Sequence, residues 1–257
     1  MQKERRPYVL TDDATHSLVL LDQLLTQVEH AFAPVRQVLT PILSNPALLA
    51  VWALVVAGSV SVLLWDLRSR NRAISSLMQF VWALTVLYSG PFGLALYWYA
   101  GRTQIDRDSL WRRGVRSTAH CYSGCGAGEV VGITLAQGVL ALATVGVAAA
   151  TFTLAYLFGF ALTVGPLMQD GEPFRNAVLD ALWSETPSIT VMEVTAIGVD
   201  LLLASHATLV APLFWASLAF SLSVGFAAAY PVNLVLVRLG VKEGMADPSE
   251  MDASERA

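Results

Sequence analysis

The sequence predicts an all-α, polytopic membrane helix bundle, and three observations predict it. Mean hydropathy is +0.55 over 257 residues. Charged residues make up 14%, against roughly 25% in a soluble domain. Several apolar runs reach the length of about 20 residues that one crossing of a bilayer needs.

The elements follow in chain order. Residues 1–45 form a cytoplasmic N-terminal segment, and they lack the basic start, short apolar core and small-residue cleavage site of a signal peptide. Within them, Leu18, Leu21, Leu25, Val28, Phe32, Val35 and Leu39 recur at intervals of three and four, the stripe of an amphipathic helix over 14–40. Pro34 should kink or divide that helix, and its stripe can pack on the rest of the chain, on the membrane surface or on a second copy. Spans then begin at Pro46–Trp65 and Leu77–Ala100. The run Ala127–Met168 is twice the length of one span, which predicts a hairpin turning near Thr144–Gly146 or one long helix. Ser188–Ser205 and Ala211–Val237 complete the set, so the count is six transmembrane helices, with five possible. The transmembrane domain covers 46–243, and the small, acidic tail 244–257 should be disordered.

Basic residues choose between the counts, because cytoplasmic loops are enriched in Lys and Arg. Six spans put Arg36, Arg102, Arg107, Arg112, Arg113, Arg116, Arg175, Arg238 and Lys242 on one side and Arg68, Arg70 and Arg72 on the other. Five spans erase the bias. Six spans with both termini cytoplasmic is therefore the expectation. The net charge of −4 shows no basic face for nucleic acid, leaving the lipid bilayer as the partner, with a homo-oligomer or protein partner through the 14–40 helix.

The chemistry is concentrated in His120-Cys121-Tyr122-Ser123-Gly124-Cys125-Gly126-Ala127-Gly128-Glu129, which holds both cysteines of the chain. On a helix Cys121, Cys125 and Glu129 share one face, with His120 at its start. Thiolates beside an imidazole suit a soft transition metal, a copper or zinc ion. Placed at the cytoplasmic mouth of a span, the thiols should stay reduced, which disfavours a structural disulfide. The small residues around them equally suit close helix packing. Glu193 and Asp200 are ionisable groups within a span, a costly placement that marks function by default. Met192 reads as packing, Glu185 as a helix-start or solvated acid, and His206 as interfacial. Asn233, after Pro231, reads as a bond between helices. Ser89-Gly90-Pro91 reads as a kink, and Tyr97, Trp98 and Tyr99 as an interfacial anchor. No phosphate-cradling Gly-Lys-Ser or Gly-Lys-Thr loop, Gly-x-Ser-x-Gly elbow or His-Glu-x-x-His pair occurs.

Four segments together resemble the prokaryotic membrane-protein family catalogued as domain of unknown function 4396. They are Ser89-Gly90-Pro91-Phe92-Gly93 with Gly101-Arg102; His120-Cys121 to Cys125 with Glu129; Ser188 to Glu193; and Tyr230-Pro231-Val232-Asn233 with Gly240-Val241-Lys242-Glu243. The resemblance spans roughly residues 77–245, and Glu129 stands where an aspartate is expected. It implies a helical domain in the inner membrane of a prokaryote and recurring Cys, His and acidic positions, and it supplies no activity.

The functional expectation is an integral membrane protein that binds or passes a soft transition-metal ion, with enzymatic activity left open. His120, Cys121, Cys125 and Glu129 are its ligands, and Glu193, Asp200 and Asn233 are polar groups deeper in the bundle. The alternatives are a membrane thiol-disulfide oxidoreductase using the two cysteines and a non-catalytic scaffold.

Overall fold

Local sequence signals set the helix boundaries in the computed structural model, which describes residues 12–105, 107–204, 207–245 and 247–249. These residues form helices and their connections, with no strand among them. Helix α1 (Asp12–Leu43) runs unbroken through Pro34 and Pro41, so Pro34 does not divide it. Its stripe is partly uncovered: Val28 and Val35 are exposed, while Phe32 and Leu39 are half-buried. The side chains of Leu18, Leu21 and Leu25 lie outside the described ones. Asn45 then accepts hydrogen bonds from the backbone of Ala47 and Leu48 and, with Pro46 in the first turn, starts α2 (Pro46–Arg70).

The run Leu77–Ala100, expected as one span, is two short helices folded back on each other. α3 (Ser76–Ser89) ends at Gly90, whose φ of 57° and ψ of −128° reverse the chain, and α4 (Pro91–Ala100) returns. The rings of Trp82 and Tyr97 are 5.6 Å apart, whereas fifteen residues of straight helix would separate them by about 22 Å. A Cβ on Gly101 would stand 2.5 Å from the Trp82 indole. Glycine supplies the positive φ, and proline removes the N–H that would continue the helix. Helices of 14 and 10 residues extend about 21 and 15 Å, short of a hydrocarbon core about 30 Å thick. A reversed chain at that depth is sustained where protein covers it. Tyr88, beside the turn, packs edge-on against Tyr122, and Phe92 against Phe226.

Ser109 caps α5 (Leu110–Ile133) by accepting from the Arg112 N–H at 3.3 Å. A π-helical turn, Thr134–Val139, extends it before α6 (Thr144–Gln169). The run Ala127–Met168 is therefore a hairpin, with its turn at residues 140–143 and Thr144–Gly146 already inside α6. The hairpin closes through glycines. A Cβ on Gly124 would meet the Gly159 Cα at 2.6 Å, one on Gly128 would collide with the Ala155 backbone, and one on Gly132 would meet the Thr151 Cα at 2.7 Å. Steps of four along α5 match steps of four back along α6, so the two backbones touch along their length. α7 (Phe174–Ala204) and α8 (Pro212–Arg238) complete the bundle. Among the described residues four helices, α2, α6, α7 and α8, are long and apolar enough to cross a membrane. α5 is more polar but enclosed, buried at almost every position from Gly114 to Glu129.

Polar contacts order the ends of the bundle. Asp66 near the end of α2 accepts from Tyr97 Oη (2.9 Å) and Arg102 (3.1 Å), and Asn71 accepts from the Thr103 backbone at 2.8 Å. Arg112 in turn donates to the Tyr99 carbonyl at 2.9 Å. The ends of α2 and α4 thus lie beside the start of α5. At the opposite end Ile42, Leu43 and Leu48 line a cavity with Pro212 and Trp215. The folded-back hairpin changes the parity of the chain: α1 and the segment after α8 sit at opposite ends, whereas six spans would have put them at the same one. The acidic tail is anchored where it begins. The Glu243 carbonyl accepts from Arg113 at 2.6 Å, the Met245 carbonyl accepts from Arg116 at 3.4 Å, and Met245 packs on the core. Residues 250–257 and His206 lie outside the described residues.

Candidate metal centre

Helix α5 delivers the two thiols to the middle of the bundle. Cys121 and Cys125 are free and fully buried, with sulfurs 3.9 Å apart. The glycines that let α6 approach also make room for them: a Cβ on Gly159 would stand 3.4 Å from the Cys125 sulfur. From α7, Glu193 faces this row and interacts with both Cys125 and Glu129, yet neither of its carboxyl oxygens makes a hydrogen bond. Glu129, one turn beyond Cys125, is 1% exposed and has an unpartnered Oε1. Asp200, two turns beyond Glu193, interacts with Glu129 and with Ser217 and carries an unpartnered Oδ1. The structure therefore aligns Cys121, Cys125, Glu193, Glu129 and Asp200 along the bundle axis. No Lys or Arg among the described residues forms an ion pair with the three carboxyls, which leaves a proton or a metal ion to balance them.

His120 does not join this row. The hundred degrees of rotation between neighbouring helical residues turns it toward α6, where Nε2 lies 3.3 Å from Thr163 Oγ1 and Nδ1 has no partner. Its charged neighbours are Glu185 and Lys242. Among the described residues, no three His, Cys, Asp or Glu side chains converge as a cluster that could hold one metal ion. The geometry offers successive pairs of donors. Two thiolates sharing one tetrahedral ion at about 2.3 Å would stand about 3.8 Å apart, and the 3.9 Å observed between the sulfurs matches that spacing.

A second polar group closes the arginine-rich end. Lys242, 6% exposed, donates to Glu185 Oε2 at 2.7 Å, Asn233 Oδ1 at 2.8 Å and Ser188 Oγ at 3.1 Å. Asn233 also accepts from Ser117 Oγ at 3.1 Å, which ties α8 to α5 as well as to the chain beyond it. Glu185 is thus a buried ion-pair partner, not a solvated helix-start acid. The sequence held one clue to this: Lys242 follows an apolar span in a short segment with a turn glycine, Gly240. Beside it, buried Arg116 makes two hydrogen bonds to Asp108, at 2.9 and 2.6 Å. Burial pushes the Asp108 carboxyl up, but those bonds and the arginine charge outweigh it and hold the carboxyl below the usual range. Tyr97, expected in an interfacial belt, is fully buried with its hydroxyl on Asp66, while Trp98 and Tyr99 are exposed.

No curated protein and no solved structure matches the chain. A family model described as domain of unknown function (DUF4396) matches residues 110–242, the stretch that holds the thiols, the buried carboxyls and Lys242. That match covers more than half of the sequence, and the chain belongs to this family.

Proposed function

We propose that the protein is an integral membrane protein that binds or passes a soft transition-metal ion, with Cys121 and Cys125 as the primary ligands. The observation that carries this reading is the pair of fully buried sulfurs 3.9 Å apart. The unpartnered oxygens of Glu193 and Glu129 support it as the next donors in line. His120, facing Thr163, serves as a polar neighbour of the site and not as a ligand. Full burial of both thiols counts against exchange with the disulfide of a partner protein, which requires access to the sulfur.

The setting is the inner membrane of a prokaryote, crossed by α2, α5, α6, α7 and α8, with α3 and α4 as a hairpin that enters and leaves at one face. Every described Arg and Lys except Arg36 belongs to the end where α5 starts and α8 finishes, and that end faces the cytoplasm by the positive-inside rule. The test is the metal content of the purified protein, by mass spectrometry, beside Cys121→Ser/Cys125→Ser. Stoichiometric copper or zinc should disappear from the double variant. Equal metal in both proteins would sink the assignment of ligands.

A further inference from the structure

The thiols stop halfway across the bundle; beyond them the donors are all oxygen. At the end away from Lys242, a cavity of about 120 Å³ opens between α5, α6, α7 and α8, space for several water molecules. It runs from exposed Thr144 inward to Glu129, and Asp200, Thr151 and Gln137 also line it. Two of these groups point to a missing ligand. Glu129 and Thr151, both of which line the cavity, are 1% and 2% exposed, and each has a side-chain oxygen with no hydrogen-bond partner. Leaving a buried polar oxygen unpaired is costly, so two such residues lining one cavity require an explanation.

We infer that this cavity is a vestibule for a hydrated divalent cation of borderline softness, Zn(II) in chemical class, and that Asp200, Thr151 and Glu129 form the oxygen station between the outer solution and the thiols. The inference rests on the metal reading of the cysteines and deepens it. The order of donors selects the ion. A cation that moves between Cys121/Cys125 and Asp200 must accept sulfur at one stop and carboxylate at the next. Zinc takes cysteine sulfur and carboxylate oxygen alike, whereas Cu(I) is held by soft thiolate or thioether donors and gains little from a carboxylate. The carboxyls of Asp200, Glu129 and Glu193 form no ion pair with a Lys or Arg among the described residues, so a divalent ion that displaces their protons meets charge it can neutralise at each step. With no cluster of three ligands among the described residues, each stop offers few donors and retained water fills the rest. Sites strong enough to enter and weak enough to leave are what permeation requires.

The experiment uses the full chain in liposomes enclosing a zinc-sensitive dye, with zinc or Cu(I) supplied outside. The Asp200→Asn/Thr151→Val variant should lose about tenfold in the initial rate of zinc uptake, while the zinc retained by the purified protein at its thiols stays at the wild-type level. Asp200→Glu should restore uptake. Wild-type uptake by Asp200→Asn/Thr151→Val would overturn the vestibule and leave the thiol site standing. Conversely, zinc retention by Cys121→Ser/Cys125→Ser would overturn the thiol site, and the vestibule would then be judged by Asp200→Asn/Thr151→Val alone. A second measurement does not depend on the folding of that variant. Ala148→Cys places a thiol on the cavity wall; its complete reaction with a charged, impermeant thiol reagent should stop uptake, and continued uptake would overturn the inference. Cu(I) uptake as fast as that of zinc would overturn the assignment of ion class.

Discussion

Lys242 shows how much one side chain can hold in place. Its ammonium has three N–H groups and meets three oxygens, on Glu185, Ser188 and Asn233, so its donor capacity is filled. The cost of removing it is set by what stays behind. Glu185, 3% exposed, would be a buried charge without its partner, a loss of about 3–5 kcal/mol. Lys242→Ala should therefore unfold at a markedly lower temperature in detergent than the wild type. Glu185→Gln/Lys242→Met, which removes both charges, should recover most of the difference, since replacing both members of a buried pair leaves no orphan. A Lys242→Ala melting curve that overlays the wild type would show that the pair contributes nothing. The sequence shows Lys242 just past an apolar span but cannot name its partner, because residues 185 and 242 are brought together only by the return of α8 and the turn after it.

At the scale of the element, the α5–α6 hairpin was legible in outline, since an apolar run twice the length of a span must turn or continue. On sequence alone its glycines suit close packing and a thiol site equally. In the structure both roles hold together, because the backbone approach at Gly124, Gly128 and Gly132 is what frames the cysteines. Gly128→Ala puts a methyl group into the Ala155 backbone, and no flexible side chain is there to yield. It should cost about 1–3 kcal/mol, as overpacking does, and lower the melting temperature. Gly165→Ala, in the same hairpin but with nothing within 4 Å of the new carbon, should leave stability unchanged or raise it slightly through helix propensity. Equal melting shifts in the two variants would show that the α5–α6 contact is not close. The α3–α4 hairpin was not legible to the same degree. Gly90-Pro91 signals a break, but hydropathy is blind to whether the chain bends a little or turns back, and the left-handed φ at Gly90 decides that.

For the whole molecule, the sequence carried the helical class, the membrane setting and the helical row of Cys121, Cys125 and Glu129, because these depend on composition and on the 3.6-residue period alone. It could not carry the rotation that takes His120 out of the row, nor the parity of the crossings. Parity has a consequence that charge counting reveals. Six spans divided the arginines, with Arg68, Arg70 and Arg72 opposite the rest; the folded-back hairpin returns these three to the end that holds Arg102, Arg112 and Arg116. On the proposed topology of five crossings and a hairpin the bias that favoured six spans is therefore stronger, and two segments lie on the other side from the one that six spans would give them. Ser44 and Ser69, at opposite ends of α2, and Leu239, after α8, are all exposed, and the native thiols are buried. In intact cells freed of their outer barrier, an impermeant maleimide should label Ser44→Cys and leave Ser69→Cys and Leu239→Cys unlabelled until the membrane is opened. Six spans demand the reverse pattern for the first two positions, with Ser69→Cys labelled and Ser44→Cys protected. Either result fixes which solution meets the oxygen-lined cavity, because that cavity lies at the Ser44 end of the bundle.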